Sequence, residues 1–144
     1  MNGKTSVISL TTIPGGTAAN ASYLLALEHF TCGNRKLCTQ EAFPVTANLK
    51  AQVMGAPISV GNGAYCCEVL ISGTVTYMPY TCGCNCNVCP RTENVYTTIC
   101  VPCSSAVAPT LTVGESVATP TNFRPCCNVT NCIAITTSLN VATA

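Results

Sequence analysis

The sequence predicts an all-β fold, a β-sandwich or jelly roll with extended terminal arms. Runs of strand length that are rich in β-branched and aromatic residues recur along most of the chain. Pro, Gly and Asn separate these runs, as expected of turns between strands. No unit of about 20 to 50 residues repeats cleanly, which argues against a solenoid. These features are typical of sandwiches and jelly rolls.

The N-terminal part carries the weakest strand signals. Residues 1–22 are rich in Thr, Ser, Gly and Ala, and a Pro-Gly-Gly break follows "TSVISLTTI". We therefore predict an extended N-terminal arm at 1–22 and a cysteine-rich β domain at 23–144. The stretch "ASYLLALEHF" at 21–30 fits either a short helix, with two leucines and Phe30 on one face, or a buried strand.

Clear strand signals begin in the middle of the chain. Two stretches rich in β-branched and aromatic residues are Cys67–Tyr80 and Glu93–Val101. Two short strands are predicted around Gly114 within 108–120, and one long strand at Cys132–Ala144. "NLKAQVMG" and "PISVGNGAYC" are weaker candidates. The chain is thus predicted to be strands over most of its length.

Charged residues are scarce in this chain. They make up 8% of the 144 residues, whereas roughly 25% is usual in a soluble domain. Hydrophobic residues make up 48%, which is too many for a disordered chain, and the length suits one domain with a real core. We therefore expect a folded domain whose surface is largely covered by copies of itself.

The composition also narrows the classes of function. The net charge is +1 without a basic cluster, so no nucleic-acid surface is predicted. The longest apolar run, "YLLAL", is far shorter than the roughly 20 residues of a membrane helix, so no membrane partner is predicted. With one His, five Glu and no Asp, the chain is poorly equipped for acid–base catalysis, and we predict no enzyme. His29, with only Glu28 near it in sequence, is interpreted as structural.

The thirteen cysteines indicate a disulfide scaffold formed under oxidising conditions. The N-terminal apolar stretch "SVISL" is too short for a secretory signal peptide. We therefore expect synthesis in the cytoplasm without a signal peptide, followed by oxidation outside the cell. Metal binding by the cysteines in a reducing cytosol is the other resolution.

The cysteines occur mostly at strand ends and in turns, and Cys66–Cys67 and Cys126–Cys127 are adjacent pairs. Consecutive residues in a strand point to opposite faces, so each doublet is predicted to bond one partner inside the subunit and one outside. Because the total is odd, at least one cysteine is free, metal-bound or joined to another chain. "CGCNCNVC" at 82–89 is interpreted as a dense loop of cross-links. The predicted cross-linking cysteines are Cys66, Cys67, Cys82, Cys84, Cys126, Cys127 and Cys132.

A zinc site is the alternative interpretation of the same residues. Cys86, Cys89, Cys100 and Cys103 form two C-x-x-C pairs with ten residues between them, a spacing compatible with a zinc ribbon. Two further cysteines crowd the first pair, and seven more are left over. The alternative function is therefore a zinc-stabilised cysteine-rich binding module, and no other cofactor is predicted. A thiol-redox enzyme ranks third, because no thioredoxin-like pattern surrounds either C-x-x-C.

The CC doublets, "RPCCNVTNC", the Thr- and Val-rich strands and the low charge resemble cysteine-rich, self-assembling spore-surface proteins. These are the subunits of endospore appendages and exosporium lattices, and the resemblance covers about residues 60–144. In the appendage family, a jelly-roll subunit extends a terminal arm whose cysteines bond to the next subunit. The doublet-plus-one pattern of that arm is similar to Cys126–Cys127 followed by Cys132. The pattern lies near the C terminus here and at the N terminus in the family.

The resemblance implies a structural subunit that self-assembles into a disulfide-cross-linked filament or surface lattice on bacterial endospores. Its partners would be copies of itself and other spore-surface proteins. Such proteins are made in a mother cell without a leader and are oxidised around assembly or after that cell lyses. The resemblance thus accounts for an extracellular, spore-surface location without a signal peptide.

Overall fold

The computed structural model describes residues 4–17, 20–30, 45–77, 91–103, 105–123 and 130–142. These residues form nine strands and no helix, which confirms the predicted all-β class. In chain order the strands are β1 (Lys4–Thr17), β2 (Asn20–Phe30), β3 (Thr46–Val53), β4 (Ile58–Gly61), β5 (Ala64–Tyr77), β6 (Arg91–Cys103), β7 (Thr110–Val113), β8 (Val117–Phe123) and β9 (Thr130–Ala142). Within the described part of the chain, no helix has the length and apolarity needed to cross a membrane.

The strands form two antiparallel sheets. Sheet A has the order β1-β2-β9, and β7 and β8 pair with successive parts of the far side of β9. Sheet B has β5 at its centre, with β6 on one side and β3 and β4 along the other. The chain passes from sheet A to sheet B after β2 and returns after β6. Both outer strands on one side of the molecule, β1 and β6, are in contact.

The two sheets pack on one shared core. Buried side chains occupy alternate, odd-numbered positions along the central strands, as expected when one face of each strand is covered. The core side chains from sheet A include Leu25, Leu27, Ile133, Ile135 and Leu139, and those from sheet B include Val69, Ile71, Val75, Val95 and Val101. This two-layer packing is consistent with the predicted sandwich architecture.

The stretch at 21–30 is a strand, which resolves the choice between helix and strand. Leu25, Leu27 and His29 are fully buried, whereas the intervening Leu24 is 44% exposed. A period of two residues is the signature of a half-buried strand, while a helical period would have placed Leu24 and Leu27 on the same face. Pairing with β9 on one side and β1 on the other fixes this register.

The predicted N-terminal arm differs from the observed structure. Residues 4–17 are extended, as expected, but they form the edge strand β1 and pair with β2 of the same chain. The boundary expected between residues 22 and 23 falls inside β2. Only two residues separate β1 from β2 in sequence, so the two runs can form a hairpin at little cost in loop entropy.

The remaining strands follow the predicted pattern closely. Cys67–Tyr80 and Glu93–Val101 correspond to β5 and β6, and β7 and β8 lie on either side of Gly114. "PISVGNGAYC" divides into β4 and the start of β5 at a two-residue turn, Asn62-Gly63. Both turn residues have positive φ, which is the reason that Asn-Gly is the preferred sequence for such hairpins.

Gly73 allows two strands to approach closely in the middle of sheet B. A Cβ atom at this position would overlap the backbone carbonyl of Asn48 in β3. We expect Gly73→Ala to lower the free energy of unfolding by about 2–3 kcal/mol, because backbone atoms cannot move aside as side chains do. At Gly114 the overlapping atom is the Ser138 hydroxyl, which can rotate, so Gly114→Ala is a matched control that should cost under about 1 kcal/mol. Urea unfolding of both variants tests this, and equal losses would contradict it.

Candidate functional site

Five of the thirteen cysteines lie in the described part of the chain. Four of them, Cys66 and Cys67 on β5 and Cys100 and Cys103 on β6, cluster where these two strands pair near the start of β5. The fifth, Cys132, is buried near the start of β9. The other eight are Cys32, Cys38, Cys82, Cys84, Cys86, Cys89, Cys126 and Cys127, and they lie outside the described residues, so the cross-linking role predicted for Cys82, Cys84, Cys126 and Cys127 stays a prediction.

Cys66 and Cys100 form a disulfide that joins β5 to β6. Their Cα atoms are 5.6 Å apart, within the usual range for disulfides. Cys66 lies opposite Pro102 and Cys100 lies opposite Glu68, so the bond crosses the ladder diagonally. Cys100 is exposed, and the bond therefore lies on the outer face of sheet B.

Loss of this disulfide should destabilise the fold. The bond closes a loop with a sequence separation of 34 residues, and a bond of this kind usually contributes about 2–4 kcal/mol. We expect the double variant Cys66→Ala/Cys100→Ala to lose this amount in urea unfolding without reductant. With reductant present, wild type and variant should unfold at similar urea concentrations. A variant as stable as wild type in both conditions would contradict the assignment.

The Cys66–Cys67 doublet divides between the two faces of β5, as its adjacency predicts. Cys66 is bonded within the chain to Cys100, and Cys67 is fully buried in the core. The intrachain bond of Cys66 agrees with the expectation of one partner inside the subunit, and the predicted bond of the doublet to another chain stays a prediction. The alternation of β5 places position 67 in the same inward row as Val69 and Ile71.

The four cysteines of the alternative zinc site are not brought together in the described part of the chain. Cys86 and Cys89 lie outside it. Cys100 is exposed on the outer face and bonded to Cys66, whereas Cys103 lies three positions further along β6 and packs against the core. The described residues contain no group of three or more His, Cys, Asp or Glu side chains that could hold a metal ion.

Three segments that contain cysteines are attached to strands at the same end of the molecule. They are 31–44, 78–90 and 124–129. The strand ends that flank them are Phe30 and Thr46, Tyr77 and Arg91, and Phe123 and Thr130. Strand pairing brings these ends together within each sheet, since Tyr77 pairs with Arg91 and Phe123 with Thr130. We call this end, defined by the six flanking residues, the cysteine pole. Eight cysteines lie in the segments attached there.

A buried polar network connects the two sheets beside the cysteine pole. The His29 Nε2 atom lies 2.8 Å from Glu93 Oε1, and the Tyr77 hydroxyl donates a hydrogen bond to Glu93 Oε2. On the other side of the imidazole ring, Nδ1 lies 2.8 Å from the Thr5 hydroxyl oxygen. Thr5 and His29 belong to sheet A, whereas Tyr77 and Glu93 belong to sheet B. The network thus lies at one end of the core, which is otherwise made of apolar side chains.

The network satisfies groups that would be costly to bury alone. His29 is fully buried and Glu93 is only 2% exposed. Both oxygens of the Glu93 carboxyl group have partners in this network, the imidazole at Oε1 and the tyrosine hydroxyl at Oε2. An unpaired buried carboxylate would be strongly unfavourable, so these bonds stabilise the fold and set how the two sheets face each other.

The imidazole and the carboxyl group of this network are buried among the described residues. A hydroxyl, an imidazole and a carboxylate in a row are the groups of a hydrolytic triad, but such a triad needs space for a substrate next to the nucleophile. Two cavities lined by described residues, of about 820 and 340 Å³, contain no member of the network in their lining. This geometry favours the structural interpretation of His29.

Sequence reasoning missed Glu93 as the partner of His29. The neighbouring Glu28 belongs to the opposite row of β2 and pairs across the ladder with Ser6 of β1. A usable signal was present, because Glu93 falls in the same alternate row of β6 as Val95 and Val101. An ionisable side chain that points into the core is costly to bury unless it has a partner there. The one histidine of the sequence, His29, also points into the core, from β2.

The outer side of β6 forms a long sheet edge. β6 pairs with β5 without interruption from Arg91 to Cys103, and no other described strand pairs with it. Arg91 and Glu93 are its only charged residues, and Glu93 is buried. Tyr96 is 64% exposed in the middle of the strand. An edge of this length without exposed charges in its centre is a template for pairing with another strand.

The other sheet edges carry features that hinder such pairing. On β1 the register shifts between Val7 and Ser9 and again between Ile13 and Thr17, next to Pro14. Bulges and proline are devices that discourage strand addition at an edge. The far sides of the two sheets are each divided between two shorter strands, β3 and β4 or β7 and β8. In the described structure, β6 is therefore the long and regular edge.

Comparison with known proteins gives no relative from which a role could be transferred. No family model, curated protein or solved structure matches this chain.

Proposed function

We propose that this chain is a structural subunit that self-assembles through strand pairing and is then cross-linked by disulfides into a filament or surface lattice. The observation that carries the proposal is the β6 edge, which is regular over 13 residues and has no exposed charge in its centre. Soluble proteins usually protect such an edge with charges, bulges or proline. Here the first proline is Pro102, at the end of the strand.

The charge content supports an assembled state. Only 8% of the residues are charged, and large exposed apolar side chains such as Ile8, Ile58 and Val60 are present on the described surface. A free monomer of this composition lacks the charged surface that normally maintains solubility. Contact with further copies of the chain would cover this surface.

Symmetry indicates how a polymer could be built. Two β6 edges that pair antiparallel are related by a two-fold axis, and such a contact closes on itself as a dimer. Growth beyond a dimer requires a second contact elsewhere on the subunit. The segments attached at the cysteine pole carry eight cysteines, and the odd total of thirteen leaves at least one without an intrachain partner after full oxidation. Disulfides from these segments would supply the second contact.

The resemblance to spore-surface proteins gives the proposed location, the surface of bacterial endospores. A cytoplasmic protein of a mother cell would meet oxidising conditions during assembly or after lysis, which suits a cysteine-rich chain. The partners in this proposal are copies of the chain and other spore-surface proteins. Covalent cross-links would give the material resistance to heat and denaturant until a reductant is added.

Sedimentation and electron microscopy of the purified chain test this proposal. In reductant, the chain of 14.9 kDa should sediment as a dimer formed through β6. After removal of reductant and gentle oxidation, the same sample should show ordered filaments or sheets by negative-stain microscopy. A monomer in both conditions, or only amorphous aggregate after oxidation, would refute the proposal.

A further inference from the structure

Two cysteines on the inner face of the β5–β6 pair remain as thiols beside the outer disulfide. They are Cys67, which is fully buried, and Cys103, which is half-buried and packs against the same core cluster. The proposed self-assembly makes no use of either side chain. Because they lie on adjacent strands and on the same face, the register of the strands determines whether the two thiols are close enough to form a disulfide.

The strand register places the two thiols on a diagonal of the ladder. Cys67 lies opposite Val101, and Cys103 lies opposite Tyr65, two positions along the partner strand. On the outer face, Cys66 and Cys100 are offset by two positions in the opposite sense, and their Cα atoms are 5.6 Å apart. A twisted antiparallel pair of strands brings one diagonal together on each face. The twist tilts the side chains of the two strands in opposite directions, and the tilt is reversed on the other face, so the close diagonals of the two faces run in opposite register senses, as the two cysteine pairs do.

The two thiols differ in access and reactivity. Burial and the neighbouring Cys103 both raise the pKa of the Cys67 thiol, burial being the larger cause. Cys103 is accessible in part, and its thiol donates a long hydrogen bond of 3.9 Å to the Ser105 carbonyl. A thiolate is the attacking species in disulfide exchange, so the accessible cysteine is the better point of entry.

We propose that Cys67 and Cys103 are a dithiol site that a small-molecule disulfide such as glutathione disulfide oxidises to a second β5–β6 disulfide. The Cys103 thiolate attacks one sulfur of glutathione disulfide, which forms a mixed disulfide and releases one glutathione thiolate. Cys67 loses its proton and attacks the Cys103 sulfur, which forms the protein disulfide and releases the second glutathione thiolate. In sum, two protein thiols are oxidised and one glutathione disulfide is reduced to two glutathione molecules.

The sequence permits a direct assay on the full wild-type chain. Cleavage after glutamate separates peptide 42–68, with Cys66 and Cys67, from peptide 94–115, with Cys100 and Cys103, and neither contains any other cysteine. The chain is equilibrated at a series of ratios of reduced to oxidised glutathione, unfolded in denaturant that contains iodoacetamide so that buried thiols are alkylated too, digested without reduction and analysed by mass spectrometry. The linked peptides should carry two alkyl groups at the reducing end of the series and none at the oxidising end.

Single variants test the order of the two steps. Cys67→Ser should trap Cys103 as a mixed disulfide that carries one glutathione, because the resolving thiol is missing. Cys103→Ser should leave Cys67 without glutathione, since no accessible thiol remains to start the exchange. Retention of both alkyl groups at every ratio, or a bond from either cysteine to a different peptide, would overturn the proposal. The assay reads only peptides within one chain, so its outcome is independent of whether the chain assembles.

Discussion

Replacement of both Tyr96 and Thr98 with lysine should convert the dimer that we propose for the reduced chain into a monomer. Both side chains are exposed on the β6 edge strand. In a two-fold pairing of β6 with its copy, the added ammonium groups of the two subunits would lie close together. Like charges at a strand–strand contact cost several kcal/mol, so the dimer dissociation constant should rise at least about 100-fold. Sedimentation velocity over a concentration series in reductant measures this change.

A matched control separates the effect of the edge from the effect of added charge. Val107→Lys/Ala108→Lys adds the same two charges at exposed positions in the connection between β6 and β7, outside any strand. The control should dimerise like wild type, and both double variants should retain the wild-type circular-dichroism spectrum. Dissociation of both double variants to the same extent would show that charge alone, and not the β6 edge, governs association. Retention of the dimer by the β6 variant would exclude this edge as the contact.

His29→Ala should cause the largest loss of stability of the single substitutions considered. The change removes the imidazole that lies 2.8 Å from Glu93 Oε1 and leaves a space beside a carboxyl group that is 2% exposed. Removal of the partner of a buried carboxylate typically costs about 3–5 kcal/mol. The loss should appear in urea unfolding followed by circular dichroism at a fixed protein concentration in reductant.

Two further variants identify the source of this loss. Glu68→Gln changes an exposed carboxylate of the same chemistry and should alter the free energy of unfolding by no more than about 0.5 kcal/mol. His29→Leu/Glu93→Leu removes both partners and should be less destabilising than His29→Ala, because no buried carboxylate is left behind. If His29→Ala costs under about 1 kcal/mol, or if the double variant is the less stable one, the network does not stabilise the fold as described.

Strand positions were largely predictable because each strand carries its own local signal. β5, β6 and β9 are long stretches rich in β-branched residues, and Gly114 marks the division between β7 and β8. The assignment of β2 was ambiguous, since "YLLAL" is apolar at every position and has no visible period. The exposure of Leu24 between buried neighbours follows from pairing with β1 and β9, which is a long-range property.

The candidate site was less predictable, because it depends on contacts between residues far apart in sequence. Adjacency indicated correctly that Cys66 and Cys67 face opposite sides, but only the register of β5 and β6 shows that Cys100 is the partner of Cys66. The partnership of His29 and Glu93 spans 64 positions and joins two sheets. That β6 has a strand partner on one side only, among the described strands, is likewise a property of sheet order, which local patterns do not encode.

A denaturing gel of native material, alkylated before lysis and run with and without reductant, tests covalent self-assembly most directly. Alkylation blocks free thiols, so the bands report disulfides that existed in the native material. We predict a ladder, or material retained in the well, that collapses to one band near 14.9 kDa on reduction. A monomer band of this size in both lanes would contradict the assignment of this chain as a disulfide-cross-linked structural subunit.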